Sequence, residues 1–278
     1  MSKNTPILDN HLHLNPEEGD GIEAVDAFAS MGGTHMLIVN LPSWYFDVQA
    51  SKGEDFQPVF DKTVEIAKQA TTRLPGKAWP VLGVHPGLIS KLIERGESPD
   101  SAKEIMQSGI ETAAEYVAEG KALALKSGRP HYDVSDEVWQ ASNDVMRHAF
   151  QMGAEHDCVV QLHTEGGSDF SEVTTWSKEV GLDSKHVVKH YSQGPIEGPV
   201  PSVISSKDAI EEAAEGDELF FMETDFLDDP DRPGAVLGPK TVPRRVRWME
   251  ENGYEEAIYR AHVEAPKRVY GIDTESTL

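Results

Sequence analysis

Short apolar segments alternate along the chain with longer polar stretches. Segments rich in Val, Ile and Leu predict buried strands at residues 7–12, 35–41, 79–84, 122–125, 158–162, 186–188, 200–205 and 219–222. Between them, residues 60–69, 101–118, 136–151 and 207–214 carry apolar side chains at helical spacing, as expected of helices that lay one apolar stripe on a sheet. Ser101, Asp136 and Ser206 stand where helix N-caps belong, each offering a side-chain oxygen to an unpaired amide. Eight strands followed by helical segments predict a single (β/α)8 TIM barrel over residues 1–278, closed by a helical region after Pro243. Two glycines and three prolines between residues 192 and 201 predict that the helix after the sixth strand is short or missing. The rival, an open doubly wound sheet, would carry a glycine-rich first turn. Here the first strand runs directly into His11-Leu12-His13 instead.

Composition narrows the functional classes. Lys and Arg total 25 against 48 Asp and Glu, giving a formal net charge of −23 and a pI near 4.8. That balance excludes an extended nucleic-acid surface and a polybasic membrane patch, but leaves room for a local pocket that accepts an anion. The acids are spread along the whole chain rather than gathered in a tail. This predicts a solvated acidic shell suited to a salt-rich cytoplasm, where ions screen its self-repulsion. A lone cysteine, Cys158, rules out a disulfide framework and a multi-cysteine zinc site. The absence of a secretory pattern and of a membrane-length apolar run predicts a cytoplasmic protein.

The polar residues fall at the C-terminal ends of the strands, which in a barrel converge on the mouth. Strand one ends in Asp9-Asn10-His11-Leu12-His13, strand three in Gly83-Val84-His85-Pro86 and strand four in Leu125-Lys126. Strand five ends in Gln161-Leu162-His163, strand six in Lys189-His190 and strand eight in Glu223-Thr224-Asp225. The two-residue period of a strand places His11 and His13 on one face, where two imidazoles can grip one cation. Any single one of His163, His190 or Asp225 is more often a satisfied buried polar group than a ligand, but their recurrence at one rim points to a metal site. Imidazole and carboxylate donors suit zinc foremost, then manganese, cobalt or nickel, with magnesium a poorer fit.

This order of His-x-His, Gly-Val-His-Pro, a strand-four ligand, two lone histidines and Glu-Thr-Asp resembles the TatD-related metal-dependent hydrolases of the amidohydrolase superfamily. The resemblance runs from Leu8 to the closing segment 265–271. It implies a (β/α)8 barrel, one or two divalent metals, and hydrolysis by a metal-activated water, often at phosphodiester bonds. It further implies that His11 and His13 hold the first metal and that His163 and His190 hold the second. Asp225 would ligate the first metal and accept the proton of the attacking water, and His85 would steady substrate.

One position departs from that family. Where it carries a glutamate within Gly-Glu-x-Gly-Leu-Asp, this chain has Ala124-Leu125-Lys126-Ser127-Gly128-Arg129. Lys126 admits three readings. It is a carbamate bridging two metals, as in the phosphotriesterase group. Or it is an ordinary ammonium, disfavoured beside divalent cations. Or it turns away to pair with an acid, or contacts substrate beside a single metal. Arg129, His131, Lys240 and Arg244 are the expected substrate-binding groups near the mouth, for a phosphate or carboxylate.

Two catalytic readings follow. The first is a phosphodiesterase or nuclease acting on a small molecule, a nucleotide or a DNA end. The second is a lactonase, amidase or phosphotriesterase built on a carbamylated lysine. A metal sensor without turnover is a third class, opposed by the retention of Asp225.

Overall fold

The computed structural model describes residues 5–278, so the first four residues of the expected 1–278 domain lie outside the described residues. Strands and helices alternate as β1 (Leu8–His13), α1 (Ile22–Ser30), β2 (His35–Val39), α2 (Gln57–Arg73), β3 (Ala78–Gly83), α3 (Leu88–Glu94) and α4 (Pro99–Ala118). They continue as β4 (Ala124–Gly128), α5 (Asp136–Glu155), β5 (Val160–His163), α6 (Ser171–Glu179), β6 (Val187–Ser192), β7 (Val200–Ile204) and α7 (Lys207–Glu215). The chain ends with β8 (Phe221–Glu223), β9 (Phe226–Leu227), α8 (Thr241–Glu251), α9 (Glu255–Tyr259) and a wide-turned helical stretch through Tyr270. All strands pair in parallel in the order β8-β7-β6-β5-β4-β3-β2-β1-β9. Because β9 follows β8 after two residues and pairs with β1, the eighth strand position closes the curled sheet into a TIM-barrel-type fold. As the proline and glycine content predicts, no helix intervenes between β6 and β7 among the described residues.

The N-caps differ in two places from the sequence expectation. Helix α4 is capped by Ser98, whose side chain accepts from the Ser101 amide, and Pro99 occupies its first turn. Helix α5 is capped by Ser135 rather than Asp136. In both, a serine just upstream takes the extended conformation of a cap, and the expected cap residue lies inside the first helical turn. Ser206 caps α7 as expected.

The barrel interior is layered. Leu8, Leu37, Val81, Ala124, Val188 and Phe221 form a lower apolar layer, sealed from beneath by Ala265, Val269 and Ile272 of the C-terminal segment. Above it the inward positions turn polar: Gln161, Lys126, His190 and Glu223 are all buried. In β1 the switch needs a device. Strict alternation would send His11 to the opposite face from Leu8, but a register irregularity between Asp9 and Leu12 lets Leu8, His11 and His13 all face inward. The bulge is pinned by the Asp9 carboxylate, which accepts from the His11 amide and from the amide and hydroxyl of Thr224.

Candidate metal centre

His11 and His13 meet at the mouth with their Nε2 atoms 3.3 Å apart. Their partners determine which nitrogen carries the proton. His13 Nδ1 lies 2.9 Å from the Val39 carbonyl, which can only accept, so the proton is on Nδ1. His11 Nδ1 lies 2.7 Å from Gln161 Oε1. The Gln161 amide is oriented by donating from Nε2 to the Asn10 carbonyl and the Tyr270 hydroxyl, so its oxygen faces His11. Both Nε2 atoms are therefore lone pairs aimed at one another. Asp225 Oδ1 sits 3.8 Å from each of them. Burial holds both imidazoles well below the usual histidine range and so favours the neutral, ligating form. Two lone pairs and a carboxylate facing one point attract a cation, and this donor set fits a divalent metal.

A second set adjoins the first. His190 Nδ1 donates toward Glu223 Oε1 at 3.3 Å, which frees its Nε2 for a ligand. That Nε2 lies 2.8 Å from His163 Nδ1, and His163 Nε2 lies 2.8 Å from His131 Nδ1. His11, His190 and Glu223 also bring ligand atoms close enough to hold an ion. Glu223 is fully buried, accepts from the Ser202 hydroxyl and the Tyr191 amide, and is pushed well above the carboxylate range by burial and by Asp225.

Lys126 rises from β4 into the middle of this group. Its Nζ is 3.5 Å from both His11 Nε2 and His13 Nε2, and burial lowers its pKa to about 8. A Cβ at Gly83 would lie 1.9 Å from the Lys126 carbonyl, so glycine at that position lets β3 lie close beside it. Asp225 takes a left-handed backbone conformation (φ 48°) while its amide donates to the His11 carbonyl, tying the end of the eighth strand to the bulged first strand. Its carboxyl is raised by burial to about 6, against the pull of Lys126.

Two cavities of about 430 and 260 Å3 meet at His131, His163, His190 and Asp225. The narrower one is walled by Trp44, Tyr45, His85 and Arg232. His85 is half-buried, accepts from the Gly87 amide, and meets the Trp44 ring edge-on. Of the expected substrate cations, Arg129 turns from the mouth. It is buried, held by both oxygens of Glu165 and by Asn143 Oδ1, and its guanidinium lies over the Trp139 ring. Lys240 and Arg244 lie at the start of α8 and line neither cavity. Glu223 and Gln161 join the site beyond the residues expected from the sequence, and Lys189 lines the wider cavity. Strand alternation carried the signal for the first two, since Glu223 shares the inward face with Phe221 and Gln161 with His163. Asp228, expected in the solvated shell, is buried and accepts from the amides of Asn15, Asp20 and Gly21.

A barrel with histidines and a carboxylate converging at its mouth is the architecture of a metal-dependent hydrolase family, and the comparisons with known proteins agree. The family described as TatD related DNase matches residues 8–271, and the chain belongs to it. An uncharacterized protein of Methanocaldococcus jannaschii is 34% identical over 285 residues, covering 98% of each chain. Among solved structures, a lactonase of Listeria monocytogenes is similar in fold (TM-score 0.61, 16% identity, covering 96% of this chain and 95% of that one). An organophosphorus hydrolase of Deinococcus radiodurans is similar too (TM-score 0.57, 12% identity, 97% and 93% covered). No helix among the described residues is long and apolar enough to cross a membrane.

Proposed function

We propose that the protein is a metal-dependent hydrolase of phosphoester bonds, acting on a nucleotide, a DNA end or a similar small substrate. The observation that carries this reading is the pair of unprotonated Nε2 atoms of His11 and His13, 3.3 Å apart, with the Asp225 carboxylate 3.8 Å from each. His11, His13 and Asp225 would hold one ion, and His163 and His190 a second. A bound divalent cation supplies Lewis acidity and lowers the pKa of water toward about 7. Asp225 then accepts the proton of the attacking water on its carboxylate. Gln161 and the Val39 carbonyl keep the two imidazoles in the ligating tautomer, Glu223 does the same for His190, and His85 and Trp44 wall the substrate. The acidic shell fits work in a salt-rich cytoplasm, where screening weakens repulsion of an anionic substrate.

A second reading rests on Lys126. An amine held among ring nitrogens with its pKa lowered to about 8 has an accessible neutral form. Its nitrogen can add to the carbon of carbon dioxide and release one proton, giving a carbamate whose anionic oxygens would join the histidines as donors to a bound metal. That chemistry suits lactone or phosphotriester hydrolysis. The experiment is metal-reconstituted protein assayed on phosphodiesters, lactones and phosphotriesters, with metal content and intact mass measured in parallel. Phosphodiester turnover abolished in Asp225→Asn supports the first reading. Lactone turnover that needs bicarbonate, with a carbon dioxide adduct on Lys126, supports the second. A folded protein that takes up no metal overturns both.

A further inference from the structure

Lys189 breaks the pattern of its strand. In β6, Val188 and His190 face the barrel interior, while Val187 and Lys189 face the helix layer, where Val187 packs in the apolar core. A lysine at such a position costs desolvation of a charge and is better replaced by an apolar residue unless the charge has work to do. The Lys189 side chain is buried. Its Nζ donates to the His190 carbonyl at 2.9 Å and lies 5.2 Å over the Phe170 ring. Among the described residues no carboxylate reaches ion-pair distance from it, in a protein with 48 acids. An ammonium has three protons to donate, and the His190 carbonyl takes one.

The rest of the chamber gives that cation a purpose. Lys189 lines the wider cavity, of about 430 Å3, next to His163, His190 and Asp225. Gln193 and Thr164 line it as well, adding hydrogen-bonding groups. Tyr191, the next residue but one along β6, is 42% exposed and forms an aromatic wall of the same cavity. It is held in a left-handed conformation (φ 57°), a strained choice for a bulky side chain, by the hydrogen bond its amide donates to Glu223 Oε1. Among the described residues no other lysine or arginine lines this cavity: Arg129 is consumed by Glu165, Arg232 walls the narrower cavity, and Lys240 and Arg244 stand outside.

Building on the hydrolase reading, we infer that the wider chamber is a subsite for a second anionic group of the substrate, gripped by Lys189 and flanked by Tyr191, away from the ester that is cleaved. The substrate class is then a small ester with a remote phosphate or carboxylate, such as a nucleotide carrying one phosphate more than the scissile one. The test is calorimetric binding of thymidine bisphosphate and of thymidine monophosphate to metal-loaded protein, with metal content verified. Wild type is expected to bind the bisphosphate about tenfold or more tightly, the worth of one buried charge-assisted hydrogen bond. Lys189→Met is expected to abolish that advantage while leaving monophosphate affinity, metal content and thermal stability intact or improved. If Lys189→Met keeps the advantage, or wild type shows none, the subsite is overturned. Should Lys189→Met fail to fold, Lys189→Gln and the salt dependence of the wild-type advantage decide, since a buried ionic grip weakens with salt and a shape preference does not. Because binding is read without turnover, an inactive protein that still shows a Lys189-dependent advantage would sink the hydrolase reading and leave the subsite standing.

Discussion

The two ends of the barrel interior use histidine in opposite ways. At the bottom, His262 Nδ1 accepts from the Leu8 amide at 3.1 Å. His35 there is bonded through Nδ1 to Thr34 and through Nε2 to Thr277, with its ring stacked on Trp79. These rings are structural ties, kept neutral by burial, with His35 lowered to about 4 and His262 to about 3. At the mouth, His11, His13 and His190 are just as buried and just as neutral, yet each has Nδ1 tied to a protein partner and Nε2 directed at other groups of the site: those of His11 and His13 at each other and at Lys126 Nζ, and that of His190 at His163 Nδ1. Burial and neutrality are therefore not what distinguishes a functional histidine. The sign is a fixed tautomer whose second nitrogen converges with other ligand atoms on one point.

The largest effect that follows is at the mouth. His13→Ala and Asp225→Asn are each expected to lower turnover by about 10^3-fold, several kcal/mol of lost transition-state stabilisation. Thermal unfolding of the metal-free protein should barely move; a large loss of stability would show that these residues are structural ties like those below. Next in size, Glu223→Gln loosens the tautomer of His190 and is expected to weaken metal affinity by about 10–100-fold, read by competition with a chelator. At the bottom the roles invert. His262→Ala leaves the Leu8 amide without its acceptor and should cost about 1–3 kcal/mol in denaturant unfolding, with metal content and turnover per folded molecule retained. Loss of activity in that variant at full folding would erase the distinction between the two ends.

The smallest effect concerns pH. Asp9 and Asp225 are raised by burial to about 7 and about 6, so each is protonated more readily when folded than when unfolded. Their contribution to stability is fully present below about 4 and is lost as pH rises through about 6 and 7. Metal-free wild type should therefore lose stability across that window, and Asp9→Asn should flatten the slope while preserving the bonds that pin the bulge. An unchanged slope would remove Asp9 as its source.

Much of the architecture was legible because it depends on local periodicity. Apolar strands, intervening amphipathic helices and the broken connection near Pro195 are all written in residue order, and so is the recurrence of histidines at strand ends. Errors arose where a neighbour decided the outcome. Arg129 read as a substrate clamp, but its guanidinium found Glu165, a residue of a different loop, and two tryptophan faces. The acids as a group predict a solvated shell, yet three amides of the first loop converge on Asp228 and bury it. Helix starts shifted by one to three residues because several polar side chains near each start are chemically competent caps.

What the sequence determined by itself is which polar residues gather at the strand ends, since the order of apolar and polar positions is a property of the chain alone. What only the tertiary structure decided is the state and direction of each of them. The proton on His11 is placed by Gln161, the proton on His13 by the Val39 carbonyl, and Lys189 comes to line the wider chamber because sheet closure and helix packing leave it there. Those choices depend on hydrogen bonds and charges between residues far apart in the chain, and such pairs acquire fixed distances only when the barrel closes.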